Sequence, residues 1–279
     1  MILACIIVMA FLAHVIAGGE SLSDYAEKHP EAAYGTAVFE DETQPDPRGE
    51  TALPEETTVP GTSGEEGSGR DNTDAGVQGQ NPVFYAEELT PGIIDWITGF
   101  SFPEEGSVHI DYADLRYLHL TYVDAEGETH IGEMICNEAI AQDLLLIFQG
   151  LYEAGYPIEC MRLLEDFDGD DVRSMTYNNT SCFNFRTVGN SSVLSNHALG
   201  MAVDINPLYN PEVVYDSDGN VLTVSPKEGE ASLNREGDGP YMIHKGDEAY
   251  RLFTEHGFTW GGDWKHGKRD YMHFEKALR

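Results

Sequence analysis

The sequence predicts an α+β fold, and three features point to it. A hairpin pattern in the middle of the chain is followed by one long amphipathic helix, without the regular strand–helix alternation of a parallel βαβ sheet. Beyond that helix, Met201 to Asn206 alternates apolar with small or polar residues, the signature of a half-buried strand. Ahead of all this, residues 40–81 hold Pro, Gly, Thr, Ser and acid with almost no bulky apolar side chain. Such a segment buries too little surface to offset its ordering entropy, so it reads as a disordered acidic tether.

Taken in order, Ile2 to Ile16 is a nearly unbroken apolar run, and the first nineteen residues carry no charged side chain. The run is short for a span of about twenty residues and fits the core of a signal peptide; no Lys or Arg precedes it, which keeps an uncleaved membrane anchor open for 1–19. Residues 20–81 form an acidic low-complexity linker, weakly helical from Glu20 to Phe39. Order is expected from about Pro82. Leu115–Val123 and Thr129–Ile135, joined by Asp124-Ala125-Glu126-Gly127-Glu128, read as a hairpin. Glu138–Ala154 carries a helical stripe of Ile140, Leu144, Leu145, Phe148, Leu151 and Tyr152, with Asn137 as cap and Gly155-Tyr156-Pro157 as stop. A strand is expected over Ile158–Leu164, a turn-rich surface excursion over Val213–Gly246, and a helix over Asp247–His256 ended by Gly257.

The formal net charge is −33. Residues 20–90 hold seventeen acidic and three basic side chains, so 14 of those charges lie there and the remaining part is still strongly acidic. A nucleic-acid partner is excluded on this ground, because phosphate binding needs a basic footprint; anionic membrane surfaces are disfavoured for the same reason. Of four cysteines, Cys5 falls in the apolar run, leaving Cys136, Cys160 and Cys182. One disulfide with a spare thiol is conceivable, but three small buried apolar residues is the favoured reading.

Two stretches carry the chemistry. Ser195-Asn196-His197-Ala198-Leu199-Gly200-Met201-Ala202-Val203-Asp204-Ile205-Asn206 and Asp270-Tyr271-Met272-His273-Phe274-Glu275 supply His197, Asp204 and His273. Two imidazoles and one carboxylate, with a fourth position for water, make a catalytic zinc set. His197 and Asp204 have opposite parity and cannot share a face of one straight strand, so the chain must turn between them, most easily at Gly200. Met272 and Phe274 are expected in the core, with His273 and Glu275 on the other face. Asp270 is then expected in the loop before that strand, within reach of a metal and its water.

Ser-x-His-x-x-Gly-x-Ala-x-Asp-Ile-Asn-Pro, then Trp260-Gly261-Gly262-Asp263-Trp264 and Asp-x-x-His-Phe-Glu, resembles the zinc D-alanyl-D-alanine carboxypeptidase and L-alanyl-D-glutamate endopeptidase family of bacterial cell-wall peptidases. The likeness runs from about Tyr117 to Arg279. It implies an antiparallel sheet with flanking helices (Hedgehog/DD-peptidase-like), a peptidase domain over 82–279, and Zn2+ held by His197, Asp204 and His273. It further implies Asp270 as general base and Arg186, in Cys182-Phe183-Asn184-Phe185-Arg186, as the group that offsets charge on the scissile oxygen. The expected partner is a peptidoglycan stem peptide, and the expected setting an extracytoplasmic, monomeric enzyme whose N-terminal segment engages the membrane if it is not cleaved.

Other candidates have plainer readings. Asp166-Phe167-Asp168-Gly169-Asp170-Asp171 resembles a calcium loop but lacks Gly at its sixth place and Glu at its twelfth, so a solvated acidic turn is expected. His29, His109, His119, His130, His244, His256 and His266 have no partner at ligand spacing; His266, in a turn near the site, is the one to watch. Trp260 and Trp264 suit a substrate groove or plain packing equally. Ser195 has no dedicated His and acid pair and is expected to orient a ligand through a hydrogen bond. Within the enzyme reading, a D-alanyl-D-alanine carboxypeptidase is preferred to an L-alanyl-D-glutamate endopeptidase. A non-catalytic zinc-containing peptidoglycan-binding domain is disfavoured by Asp270, and a structural zinc site by the want of a fourth ligand.

Overall fold

The hairpin and the helix that follows it form the framework for the rest. The computed structural model describes residues 81–189, 191–237, 239–265 and 267–277. The expected signal or anchor, the linker as far as Gln80, and His266 lie outside these. The first strand, β1 (Phe84–Glu88), is followed by α1 (Pro91–Ile97), whose N-cap Thr90 accepts a hydrogen bond from the amide of Ile93 and whose N1 is proline. The hairpin strands are β2 (Leu115–Val123) and β3 (Thr129–Asn137), giving a sheet in the order β1-β2-β3, antiparallel throughout. Asn137 ends β3 and its side chain accepts from Ala139 N at 3.0 Å, starting α2 (Glu138–Glu153).

The inward face of α2 holds Ile140, Ala141, Leu144, Ile147, Phe148 and Leu151, spaced three and four apart. They pack against Leu118, Leu120, Met134 and Cys136 on one side and Val203, Ile205, Phe253 and Phe274 on the other. Full burial of each large side chain is worth about 1.5–3 kcal/mol relative to exposure, so this face fixes the helix between the hairpin and the site. A second cluster, Ile93, Ile97, Phe102, Leu115, Tyr117, Ile135 and Phe183, lies on the far side of the hairpin.

After the short α3 (Asp171–Thr176) come β4 (Ala202–Asp204), β5 (Glu212–Tyr215), β6 (Val221–Ser225), α4 (Glu248–Glu255), β7 (Thr259–Trp260), β8 (Lys268–Asp270) and β9 (His273–Glu275). These strands make two further antiparallel sheets, β4-β9-β7 and β6-β5-β8. The α+β class is as the sequence predicts, although the strands divide among three small sheets. Met201, Val203 and Ile205 are buried on the expected parity, and Met272 and Phe274 are in the core. Ala202 and Asp204 are buried too, so β4 is covered on both faces rather than half-buried. Cys136 and Cys182 are buried, Cys160 is partly so, and none forms a disulfide. Among the described residues no helix is long and apolar enough to cross a membrane.

Three expectations are corrected. Residues 158–164 form no strand. Single bridges pair Pro157 with Val123 and Cys160 with Asn179, and side-chain amides take the place of a neighbouring strand: Asn206 Oδ1 accepts from Glu159 N at 3.2 Å, and Asn179 accepts from Arg162 N at 2.8 Å while donating to Arg162 O at 3.0 Å. Residues 213–246 are not merely a surface excursion, since Val213 and Ile243 are fully buried. Buried Asn210, just before that stretch, anchors its later part, accepting from Ile243 N at 2.7 Å and from Arg235 Nη2 at 2.9 Å. Asp270 lies at the end of a strand, β8, and not in a loop, because Glu212, Val213 and Val214 supply β8 with a ladder partner remote in sequence.

Candidate metal centre

His197 sits in the single 3-10 turn Asn196–Leu199, which Ser195 caps by accepting from His197 N at 3.3 Å. Ser195 thus orients His197 through its backbone. The turn closes at Gly200, whose φ of +64° is left-handed, as the parity of the two ligands requires. A Cβ at this position would lie 2.6 Å from the backbone nitrogen of Asn137. That nitrogen donates to Gly200 O at 2.9 Å while Asn137 Nδ2 donates to Leu199 O at 3.0 Å. One asparagine therefore caps α2 and clamps the turn that presents His197. Past Gly200 the chain enters β4, where Asp204 is the direct ladder partner of His273 on β9 and also bridges Ser181. Opposed residues of an antiparallel pair share a face.

The result is convergence of three donors. Nε2 of His197 lies 3.2 Å from Asp204 Oδ2, Nδ1 of His273 lies 3.0 Å from Asp204 Oδ1, and the two ring nitrogens are 3.1 Å apart. Among the described residues, this is the group of His, Cys, Asp and Glu with ligand atoms close enough to hold one ion, all lying within 4.8 Å of one another. The outer nitrogens fix which tautomers are available. His197 Nδ1 donates to the carbonyl of Cys182 at 2.6 Å, leaving Nε2 as a lone pair. His273 Nε2 donates to Glu275 Oε2 at 3.2 Å, leaving Nδ1 for the same point, and Glu275 is itself held by Asn196 Nδ2 at 2.6 Å. Two nitrogen lone pairs and a carboxylate aimed at one point suit a borderline cation such as Zn2+.

The electrostatics agree. Burial alone would raise the carboxyl of Asp204, but the two imidazoles outweigh it and hold the group far below the usual carboxylate range. Burial alone would lower the imidazolium of His273, yet hydrogen bonds to Asp204 and Glu275 push it up to about 10, so a cation must displace a proton there. The centre is recessed rather than sealed: the side chains of Asp204 and His273 keep 9% and 8% of their exposure.

Asp270 is buried beside this group, and its Oδ1 has no hydrogen-bond partner. Its pKa is pushed up to about 8, first by burial, then by the Glu212 carboxylate opposite it in the β5–β8 ladder. Glu212 is ion-paired with Lys268, whose ammonium stands 5.2 Å from the ring centre of Trp264. Trp264 is half-buried and its ring lies 5.3 Å from that of His273, so it lines the approach to the centre. Trp260 by contrast packs into the core against Phe274.

Arg186 is placed otherwise. Its backbone carbonyl accepts from Ser195 N, which ties this segment to the His197 turn, but its guanidinium pairs with Asp171 at 3.1 Å. The acidic turn is not a cation loop: Asp170 caps α3, Asp168 pairs with Arg173, and Asp171 serves Arg186. Of the remaining histidines, His119, His130 and His256 pair with Glu87, Asp124 and Asp143. Sequence reasoning did not assign Glu275, Asn196, Glu212 or Lys268. Glu275 was within reach, since it has the parity of His273 two residues on. Glu212 was not, because only the β5–β8 register brings it opposite Asp270.

A recessed His-Asp-His group with an adjacent unpartnered carboxylate is a donor set that could hold a metal ion beside a general base. A family model described as D-alanyl-D-alanine carboxypeptidase matches residues 188–276. That segment spans His197, Asp204, Asp270 and His273 and begins just after Arg186, so this stretch of the chain is similar to that family of peptidases. No curated protein and no solved structure matches the chain.

Proposed function

We propose that this protein is a zinc-dependent peptidase that hydrolyses peptidoglycan stem peptides as a D-alanyl-D-alanine carboxypeptidase. The observation that carries the reading is the convergence of His197 Nε2, Asp204 and His273 Nδ1 with the unpartnered Oδ1 of Asp270 beside them. The description of the matching family supports the choice of bond. Bound there, zinc would supply Lewis acidity and a water of lowered pKa.

The chain's own residues do the rest. Asp270, made more basic by burial and by Glu212, takes the proton of the attacking water and delivers it to the leaving amine. A base whose pKa lies near neutrality suits that task better than an exposed aspartate. Arg186 would offset charge on the scissile oxygen once it exchanges Asp171 for the substrate. Trp264 walls the approach. The Hedgehog/DD-peptidase-like fold, a domain spanning 82–279, a monomeric state and an extracytoplasmic location reached through residues 1–19 complete the proposal.

The test is digestion of purified muropeptides followed by mass spectrometry. Loss of one terminal alanine, abolished by a chelator and restored by zinc, is the expected result. Cleavage between L-alanine and D-glutamate would instead identify the endopeptidase, and no zinc-dependent product at all would overturn the assignment.

A further inference from the structure

The ladder between β5 and β8 has two faces. Glu212, Lys268 and Asp270 turn toward the metal centre; Val213 and Arg269, opposed one rung along, turn the other way. On that second face an open cavity of about 420 Å3 is lined by Tyr215, Asp216, Ser217, Arg269 and Tyr271, a size suited to a small organic group. Arg269 donates to the carbonyl of Lys268 at 2.9 Å and pairs with no carboxylate among the described residues. Asp216 keeps its charge but makes its hydrogen bonds within the hairpin turn, accepting from Asp218 N, Asn220 N and Asn220 Nδ2 at 2.8–2.9 Å, and forms no ion pair with Arg269.

A second cation stands close by. Arg235, held by the carbonyls of Tyr209 and Ile243, lies 4.6 Å from the ring centre of Tyr271. Tyr215 and Tyr271 line the cavity together with Arg269. In a chain of net charge −33, a cavity whose lining carries the Arg269 guanidinium and two phenols offers a cation and hydroxyl donors to an anionic group. A guanidinium fork with hydroxyl donors beside it matches a carboxylate. Arg269 and Asp270 are adjacent in the chain, so their Cα atoms are about 3.8 Å apart. Because β8 is the edge strand of its sheet, a peptide that crosses this edge from Asp270 meets the face that carries Arg269.

We propose that this cavity is a subsite for a carboxylate of an anionic peptide substrate, remote from the scissile bond, with Arg269 as its charged fork and Tyr215 and Tyr271 as orienting donors. The substrate side of this inference rests on the peptidase reading. A peptidoglycan stem offers such a group at its γ-linked glutamyl residue, which bears a free carboxylate unless it is amidated.

The experiment compares two synthetic stem peptides, identical except that this carboxylate is free or amidated. The intact protein is expected to show a KM about tenfold lower for the free acid, with similar kcat. Arg269→Gln should raise KM for the free acid about tenfold and leave the amidated peptide unchanged. Arg269→Lys, which keeps the charge, should restore part of the difference. Equal KM values for the two peptides on the unaltered protein, or a variant that weakens both equally, would overturn the subsite. Calorimetric binding of the same peptides separates this from failure of the peptidase reading. Tighter, Arg269-dependent binding of the free acid without cleavage of either keeps the subsite and removes the peptidase, whereas cleavage of both peptides with no preference does the reverse.

Discussion

Asp204 and His273 are opposed rungs of the β4–β9 ladder, with Oδ1 of the first 3.0 Å from Nδ1 of the second. Sixty-nine residues apart in sequence, they meet through strand register alone. A slip of one residue between the strands would put the two side chains on opposite faces. Val203 and Phe274, the neighbouring rung, are fully buried and lock that register. The apolar alternation of two short strands is thus what brings Asp204 and His273 together as candidate ligands, and His197 is added by the turn at Gly200.

The orientation of His273 depends on Glu275. Glu275→Gln keeps the size and an acceptor but removes the charge that favours Nδ1 as the inward lone pair. Zinc affinity, read by competition with a chromogenic chelator, is expected to fall by about 10–100-fold with the fold unchanged by circular dichroism. An unaltered affinity would deprive Glu275 of this role.

Asp270 makes none of the three inward contacts, and its Oδ1 is unpartnered. Asp270→Asn should therefore keep stoichiometric metal while the hydrolytic rate drops by about 10²–10⁴-fold. Metal content by emission spectroscopy and rate on a stem peptide are measured on the same sample. A variant with normal rate would exclude Asp270 as the base; one without metal would make it a ligand.

Much of this was legible in the sequence for identifiable reasons. The ligands sit in short motifs where periodicity fixes the face, so the parity of His197 and Asp204 demanded a turn and Gly200 provides it. The α2 stripe was legible because α2 packs against both the hairpin and the site. Residues 158–164 misled because their buried apolar side chains looked like a strand, while isolated backbone bonds and the side-chain amides of Asn179 and Asn206 replace a continuous ladder. Side-chain substitutes for a ladder leave no periodic trace. The charge setting of Asp270 was likewise hidden, because Glu212 reaches it only through pairing of two strands fifty-odd residues apart.

Gly200 offers a separable test of the turn. Its φ of +64° costs a residue with a Cβ about 1–2 kcal/mol, and the 2.6 Å approach to Asn137 N adds overpacking of about 1–3 kcal/mol. Gly127, with φ of +82° and nothing within 4 Å, bears only the first cost. In urea denaturation Gly200→Ala should lose clearly more stability than Gly127→Ala. Equal losses would mean that the clamp on Asn137 is slack.

The acid end of the stability curve is set in part by Asp143. Its Oδ1 lies 3.0 Å from His256 Nδ1 and its Oδ2 2.7 Å from Lys276 Nζ, joining α2 to the end of α4 and to the residue after β9. Burial opposes its ionisation, but the bonds to His256 and Lys276 prevail and hold its carboxyl below the ordinary value. A depressed folded pKa means that the unfolded chain binds the proton more readily. The stabilisation is then present above the unfolded value of about 3.9 and is lost as pH falls through the folded value. Asp143→Asn is therefore expected to cost up to about 1 kcal/mol at pH 7, limited by solvent screening of a partly exposed cluster. The two denaturation curves should draw together as pH falls below about 4. A gap that stays constant into strong acid would show that the amide has disturbed packing and that charge contributes nothing at this junction.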